Sequence, residues 1–429
     1  MKPEELKLSL KNCLLENWTS VEEWFQSQSL LFDAPLTGSI DIRDGGFKIA
    51  PVDANLYPAG WNNLCQADRA EASSVFKKTI TSKLDSLGLN FSNRAPWIHV
   101  IPENHTKNLF YWENLKTLAE LVRGAGFKVT IGGIDLPVDF STQAEQLLET
   151  ASGGSLSVVK TWIEDHTLHT PSGTPDLILV NNDFSSGPPS ELFHLKQPVS
   201  PPLCLGWFRR SKYNHFAIYE KTAKEFCLEF KIDPFLLTPY GSLVEEVDFS
   251  EKIGFEQMAE KADALIQKLE AEYKEREIPW KPKVFVKSDS GTYGMGILVI
   301  ESPDEILNLG RKARNKMDVV KNKLKTTRVL LQEGIPTLLT TSEGDTAEPV
   351  IYFSALQLVG GFLRANRERG HLENLNAKGM VFKKLCMAEL RKESRNDRIE
   401  EIVYGTIARL SALSMAKEVE ELSHLKDCP

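Results

Sequence analysis

The segment VFVKSDSGTYGMGILVIES, from Val284 to Ser302, constrains this chain more than any other. Val284 to Lys287 and Ile297 to Ile300 read as two strands, and the loop between them holds Gly291, Gly294 and Gly296. Glycines at that density let backbone N–H groups approach an oxyanion closely. Lys287, at the base of the loop, adds a compact positive charge. The expected element is a phosphate-holding flap, with Ser290, Gly291, Thr292, Tyr293, Gly294, Met295 and Gly296 as its cradle. The loop alone leaves a purely structural hairpin equally open. Two other phosphate loops are excluded: no Gly-Lys-Ser/Thr opens a helix, and GxxGxG followed by a strand is not a dinucleotide fingerprint.

The 429 residues suffice for two or three domains. A net charge of -8 argues against a general nucleic-acid binder. The basic run Arg311 to Arg328 then reads as a solvated helix. No apolar run is long enough to span a bilayer. The opening MKPEELKLSLKN lacks an apolar signal core, so a cytoplasmic location is expected. Cysteines at 13, 65, 204, 227, 386 and 428 form no CxxC pair, and reduced, mostly buried thiols are expected. His166 and His169 sit in a polar stretch that suits a solvated loop better than a metal site.

Along the chain, residues 1–32 read as helical. Ser39 to Arg43 and Phe47 to Val52 alternate like strands around the turn signal Asp44-Gly45-Gly46. A polar helix follows near Asp68 to Leu87. From Pro96 the order strand (Trp97 to Ile101), helix (Leu109 to Ala125), strand (Phe127 to Ile131), helix (Ser141 to Thr150), strand (Asp176 to Val180) predicts a small parallel sheet. Phe216 to Phe230 and Gly254 to Tyr273 are helical, and a strand runs into Gln332-Glu333-Gly334. Two later strands, Pro349 to Leu358 and Gly361 to Ala365, are expected to turn at Gly360-Gly361, and a charged helix ends the chain. The expected division is 1–95, an N-terminal region carrying a hairpin; 96–205, a small α/β substrate domain; 206–385, a nucleotide-binding region; and 386–429, a helical tail.

The order of motifs from 216 to 380 resembles the ATP-binding part of the glutathione synthetase-like ATP-grasp enzymes. Lys221 stands where those enzymes place a first ATP lysine, and Lys287 with its flap where they place the second. Gln332-Glu333 matches the adenine hinge. Glu348 sits at an acidic position of the family, and Arg364 matches an arginine facing the acyl phosphate. Asn374 to Gly379 resembles its Asn-rich loop. The acid-x-Asn pair that normally ends the family and holds magnesium is missing after Gly379. Asp53-x-Asn55, with Asp41 on the partner strand, looks like that pair moved to the front. The resemblance thus implies an α/β (α+β) ATP-grasp fold, circularly permuted.

Over the whole chain, IDIRDGGFKIAPVDANLYPAGWNNL, IPENHTKNLFYWENL and GWFRRSKYNHF, with the flap, resemble a bacterial family of glutamate–cysteine ligases. This implies ATP and Mg2+ as cofactors, glutamate and cysteine as substrates, no nucleic-acid or membrane partner, and a possible homo-oligomer. It implies Arg364 and Lys287 as catalytic groups, and Asp41, Asp53, Asn55 and Glu348 as metal ligands. Amino-acid recognition needs cations for carboxylates and acids for ammonium groups. Candidates are Arg43, Lys48, Asn62, Asn63, Glu103, His105, Asn181, Asp183, Arg209, Arg210, Lys212, Asn374 and Asn376, although Arg209-Arg210 reads equally as a surface pair.

Overall fold

The computed structural model describes residues 3–104, 107–291, 296–318, 325–394 and 398–423. Helices α1 (Pro3–Glu16) and α2 (Trp18–Leu31) open the chain and lead into the hairpin β1 (Gly38–Asp44) and β2 (Ile49–Asn55). At its tip Gly46 takes φ 77°, a left-handed position that favours glycine. Helix α3 (Gln66–Ser86) follows.

Next comes the expected parallel unit, β3 (Trp97–Pro102), α4 (Leu109–Gly124) and β4 (Lys128–Ile131). Its apolar stripe (Leu115, Leu118, Leu121, Val122) packs with Ile98, Val100 and Ile131. Two hairpins intervene, β5 (Glu145–Glu149) with β6 (Ser155–Val159) and β7 (Trp162–Glu164) with β8 (Thr167–His169). Then β9 (Leu177–Asn181) and β10 (Val199–Ser200) complete a four-stranded parallel sheet, ordered β10-β9-β3-β4. The helix expected at Ser141 to Thr150 is therefore corrected to strand β5. A tight turn closed by Thr150 N–H to Gly154 O pairs this segment with β6, and that pairing overrides the helix-forming Glu, Gln and Leu residues.

Helix α5 (Lys212–Phe230), strand β11 (Gly241–Val244) and helix α6 (Phe255–Glu275) precede the flap strands β12 (Val284–Ser288) and β13 (Ile297–Ile300). These pair antiparallel, Lys287 opposite Ile297. After α7 (Pro303–Leu307) and α8 (Arg311–Asp318), β14 (Val329–Glu333) completes an antiparallel sheet ordered β11-β14-β12-β13.

Strands β15 (Thr346–Ser354), β16 (Gln357–Asn366) and β17 (Met380–Leu385) return to the front of the molecule. They join β1 and β2 in one sheet ordered β17-β16-β15-β1-β2. The turn expected at Gly360-Gly361 is corrected: both glycines lie within β16, and the chain turns at Ala355, φ 49°. Glycine is required there for a different reason. A Cβ on Gly360 would meet the Asp68 carboxylate at 2.6 Å, and Gly361 N–H donates to that carboxylate.

Short helix α9 (Met387–Leu390) and long helix α10 (Ile399–Ser423) end the described chain. The expected charged tail is also corrected. Most charges stand near the ends of α10, with Arg409 at its middle paired to Glu22, while Ile402, Val403, Ile407, Leu410, Leu413 and Met415 are buried in the main core. Each such side chain contributes about 1.5–3 kcal/mol by leaving water. The expectation of reduced thiols fails in part: Cys65 and Cys386 form a disulfide and Cys204 is disulfide-bonded too, whereas Cys13 and Cys227 are free.

Candidate functional site

One face of the five-stranded sheet gathers charge from both ends of the chain. Side chains two apart on a strand share a face, so Asp41 and Arg43 on β1 point the same way. Register then places Asp53 of β2 opposite Asp41, and Arg364 of β16 opposite Glu348 of β15. The Arg364 guanidinium donates to Asp41 at 2.5 Å and to Glu348 at 2.9 Å. Arg43 donates to the other Glu348 oxygen at 2.9 Å and to the carbonyls of His371 and Glu373.

The flap sheet supplies the opposite wall. Lys287 Nζ donates to Val52 O at 2.9 Å and to Gln332 Oε1 at 2.6 Å, so β12 touches the front hairpin directly. Lys212, at the start of α5, forms an ion pair with Asp53. The same helix end is stitched to the flap base. Lys212 N–H donates to Asp289 O, Tyr213 N–H to Asp289 Oδ1, and the Ser211 hydroxyl pairs with Asp289 Oδ1.

Between the walls lies a cleft lined by Asp41, Arg43, Asp53, Lys212, Lys287, Ser288, Ser290, Gly291, Glu348, Arg364, Asn374 and Asn376, with Val52, Phe285 and Ile297. Gly291 and Gly296 have φ 101° and 65°, left-handed values at both ends of the flap loop. Thr292, Tyr293, Gly294 and Met295 lie outside the described residues, as does His105.

The electrostatics are divided. Burial pushes the Asp41 carboxyl up, against Arg364, and Glu348 and Asp53 push it further. Burial also acts to raise Asp53, but Lys212 and then Lys287 outweigh it and hold the group at about 2. Burial lowers Lys287 to about 8, with Asp53 opposing. The Arg364 guanidinium resists the pull of burial and stays firmly protonated through Asp41 and Glu348. Three buried polar atoms here have no protein partner: Ser288 Oγ, Gln332 Nε2 and Arg364 Nε. Each is left for water or a polar ligand to satisfy.

The donor set tests the expected metal. Asp41, Asp53 and Glu348 offer hard carboxylate oxygens of the kind Mg2+ prefers. Guanidinium and ammonium groups stand in for cation charge between them: Arg364 bridges Asp41 and Glu348, and Lys212 covers Asp53. Among the described residues, only Cys65, Asp68 and Cys386 bring their ligand atoms within 4.8 Å of one another, and there the sulfurs are bonded to each other. Asn55 faces elsewhere. Its carboxamide accepts from Tyr57 N–H and donates to Tyr57 O, closing a local turn.

Several expected residues stand away from the cleft. Lys221 is exposed on α5 beyond the Lys212 end. Glu333 is fully buried; its carboxylate takes Lys48 Nζ at 2.6 Å, Tyr273 Oη at 3.0 Å and Tyr240 N–H at 3.1 Å, so Lys48 and Glu333 close on each other. Arg210 forms a two-pronged pair with Glu418 at 2.9 and 3.1 Å and donates to Ala54 O. Arg209 is half-buried beside it and does not line the cleft. Glu103 follows β3, its N–H held by Tyr111 Oη, and Asn63 lies in a short turn after β2. Lys212, expected among amino-acid ligands, lines the cleft and pairs with Asp53. Its signal was the Ser211 N-cap, which fixes where α5 begins and hence where its first residue points.

The sequence and fold agree on a class, a mixed α/β protein. The glutamate–cysteine ligase family model GshA matches residues 11–419, and the chain belongs to that family. The structure superposes on a Methylobacillus flagellatus KT protein assigned as a gamma-glutamylcysteine synthetase, with a TM-score of 0.85 and 36% identity over 98% of each chain. A D-alanyl-alanine synthetase A from Vibrio cholerae O1 biovar eltor aligns over 74% of this chain and 80% of its own at 11% identity, with a TM-score of 0.31, too distant to bear on the fold. No curated protein sequence matches the chain. Among the described residues, no helix is long and apolar enough to cross a membrane.

Proposed function

We propose that the chain is an ATP-dependent glutamate–cysteine ligase of circularly permuted ATP-grasp type. It would form γ-glutamylcysteine through a γ-glutamyl phosphate, the opening step of glutathione synthesis. The observation that carries this reading is the cleft itself, in which a glycine flap with Lys287 faces Asp41, Asp53, Glu348 and Arg364 across a sheet made from both chain ends. Phosphoryl transfer needs charge neutralisation and positioning more than covalent help. Lys287, Lys212 and the flap N–H groups suit the phosphates, with Arg364 over the acyl-phosphate oxygens. Asp41, Asp53 and Glu348 would hold Mg2+, which when bound neutralises phosphate charge. Asn55 would join them only by releasing its turn.

In the reaction as proposed, a glutamate γ-carboxylate oxygen takes the terminal phosphoryl group and ADP leaves. The cysteine amine then attacks the γ-carbonyl, an amide bond forms, and inorganic phosphate departs. Small-molecule substrates, a cytoplasmic setting and a homo-oligomer accompany this reading. The test is Mg2+-dependent phosphate release across pairs of amino acids, with the product mass measured. Release with glutamate plus cysteine and a γ-glutamylcysteine mass supports it. A different amine acceptor would make the chain another carboxylate–amine ligase, and nucleotide binding without release would make it a regulatory binder.

A further inference from the structure

We propose that Cys65 and Cys386 are a redox-active pair that exchanges with small thiols at Cys65 and clamps the strands carrying Arg364; only the effect on turnover rests on the ligase reading above. The two sulfurs are bonded to each other across 321 residues of sequence, and they stand in different surroundings. Cys65 is half-buried at the N-cap of α3, where its Sγ accepts from Asp68 N–H at 3.3 Å. The positive end of a helix dipole favours a thiolate there. Cys386 is sealed, at 5% exposure, just after β17. Its Sγ lies 3.8 Å from Asp68 Oδ1. Burial pushes the Asp68 carboxyl up, against the N–H groups of Ala388, Gly361 and Met387 that it accepts, so it is suited to hold a proton. An accessible sulfur on a helix cap, a sealed partner and a buried carboxyl beside it are the parts of thiol–disulfide exchange. A purely structural cross-link needs neither the cap nor the carboxyl.

The exchange runs in two displacements. A small thiolate attacks Cys65 Sγ, a mixed disulfide forms, and Cys386 leaves as a thiolate that takes a proton from Asp68. The proton released by the attacking thiol restores Asp68. A second thiol then attacks the mixed disulfide at the small-molecule sulfur, freeing Cys65 and a small disulfide. Two thiols are oxidised to one disulfide, and the protein gains two electrons and two protons. Cysteine, the amine substrate on the ligase reading, is itself such a thiol.

The bond holds part of the cleft. Leu385, next to Cys386, pairs with Gly361 of β16, and Phe382 of β17 pairs with Arg364. Asp68 accepts Gly361 N–H at 3.1 Å and Ala388 N–H at 2.7 Å. Strand β17 is the sheet edge, and Asn374 and Asn376, in the loop that leads into it, line the cleft. The disulfide therefore fastens to α3 the strand pair that carries Arg364, and reduction removes the covalent part of that clamp.

The test mixes folded, air-oxidised wild type with excess cysteine, quenches with acid, alkylates with N-ethylmaleimide and maps the peptides by mass. A cysteinyl adduct on Cys65 with Cys386 alkylated is expected. An adduct on Cys386, or a bond that opens only in urea, overturns the exchange. Cys386→Ser incubated with cystine should retain one cysteinyl group on Cys65, and no uptake contradicts the proposal. Asp68→Asn should slow the exchange by on the order of 10²-fold, the scale of general acid–base help, its unfolding temperature checking the fold; an unchanged rate removes Asp68 from the step. Turnover is read with glutamate and α-aminobutyrate, which keeps the amine of cysteine and lacks its thiol, so the assay itself reduces nothing. Dithiothreitol should lower kcat severalfold in wild type and leave a Cys65→Ser, Cys386→Ser double variant unmoved. Equal turnover before and after reduction overturns the clamp. Wild type that releases no phosphate with α-aminobutyrate or cysteine would sink the ligase reading, while the peptide map still decides the exchange.

Discussion

Two charge clusters in this molecule both set carboxylates against basic side chains and do opposite things. Around Glu418, the Arg210 guanidinium and His215 close on the carboxylate, His215 Nε2 pairs with Ser411, and the charged atoms are sealed inside the protein. Around Asp41, Asp53 and Glu348, the cations Arg364, Lys212 and Lys287 border an open cleft, and polar atoms are left without protein partners. The first cluster fastens α10 to α5. The second keeps binding capacity in reserve. Access to the cleft, more than charge, separates scaffold from site.

The largest break in that comparison should come from the sealed side. Glu418→Ala leaves Arg210 buried without its acid, and breaking a buried pair costs about 3–5 kcal/mol. Urea unfolding should show the loss, while turnover per folded molecule stays near wild type. On the open side the pattern reverses. Lys287→Met should cut kcat/KM on the order of 10²–10³-fold, as removal of a transition-state donor does. Its unfolding midpoint should hold or rise, because a buried charge is removed.

A pH series sharpens the contrast. Burial acts to raise Glu418, yet Arg210 and His215 hold it at about 2, below its ordinary 4.5. The folded state therefore binds that proton more weakly than the unfolded chain. Its stabilisation is present above 4.5 and is lost as pH falls toward 2. Lys287 is lowered from 10.5 to about 8, so between those values the unfolded chain holds the proton that the folded one has shed. Stability should rise over that window. Thermal unfolding of Glu418→Gln should flatten the acid limb, and Lys287→Met should erase the alkaline rise. The smallest effect belongs to Lys221→Ala, an exposed helix position. Stability should stay within about 0.5 kcal/mol of wild type, and KM for ATP should barely move.

Much of the frame was legible because local signals and tertiary pairing agreed. The flap strands, the Asp44-Gly45-Gly46 turn and the β3–α4–β4 unit all carry periodicity and turn chemistry that act over a few residues. The contact between the front hairpin and the flap followed from asking where a missing acid-x-Asn pair had gone, and Lys287 does meet Val52. What misled was non-local. Gly360-Gly361 looked like a turn because Asp68, the reason for those glycines, lies far away in sequence on α3. Strand β5 exists only through its pairing with β6. Lys48, Glu333 and Arg210 had the right chemistry for ligands, but their partners come from distant elements, and no spacing rule reveals that they are spent. Lys221 and Lys212 share a helix, and only the cap at Ser211 shows which end faces the cleft.

The central claim is that the front hairpin, folded against the flap, completes an ATP-driven ligase site. Asp53→Asn tests it most directly, assayed for Mg2+-dependent phosphate release with glutamate and cysteine beside circular dichroism of the same sample. The account predicts a native spectrum with turnover abolished; full activity in that variant would contradict it.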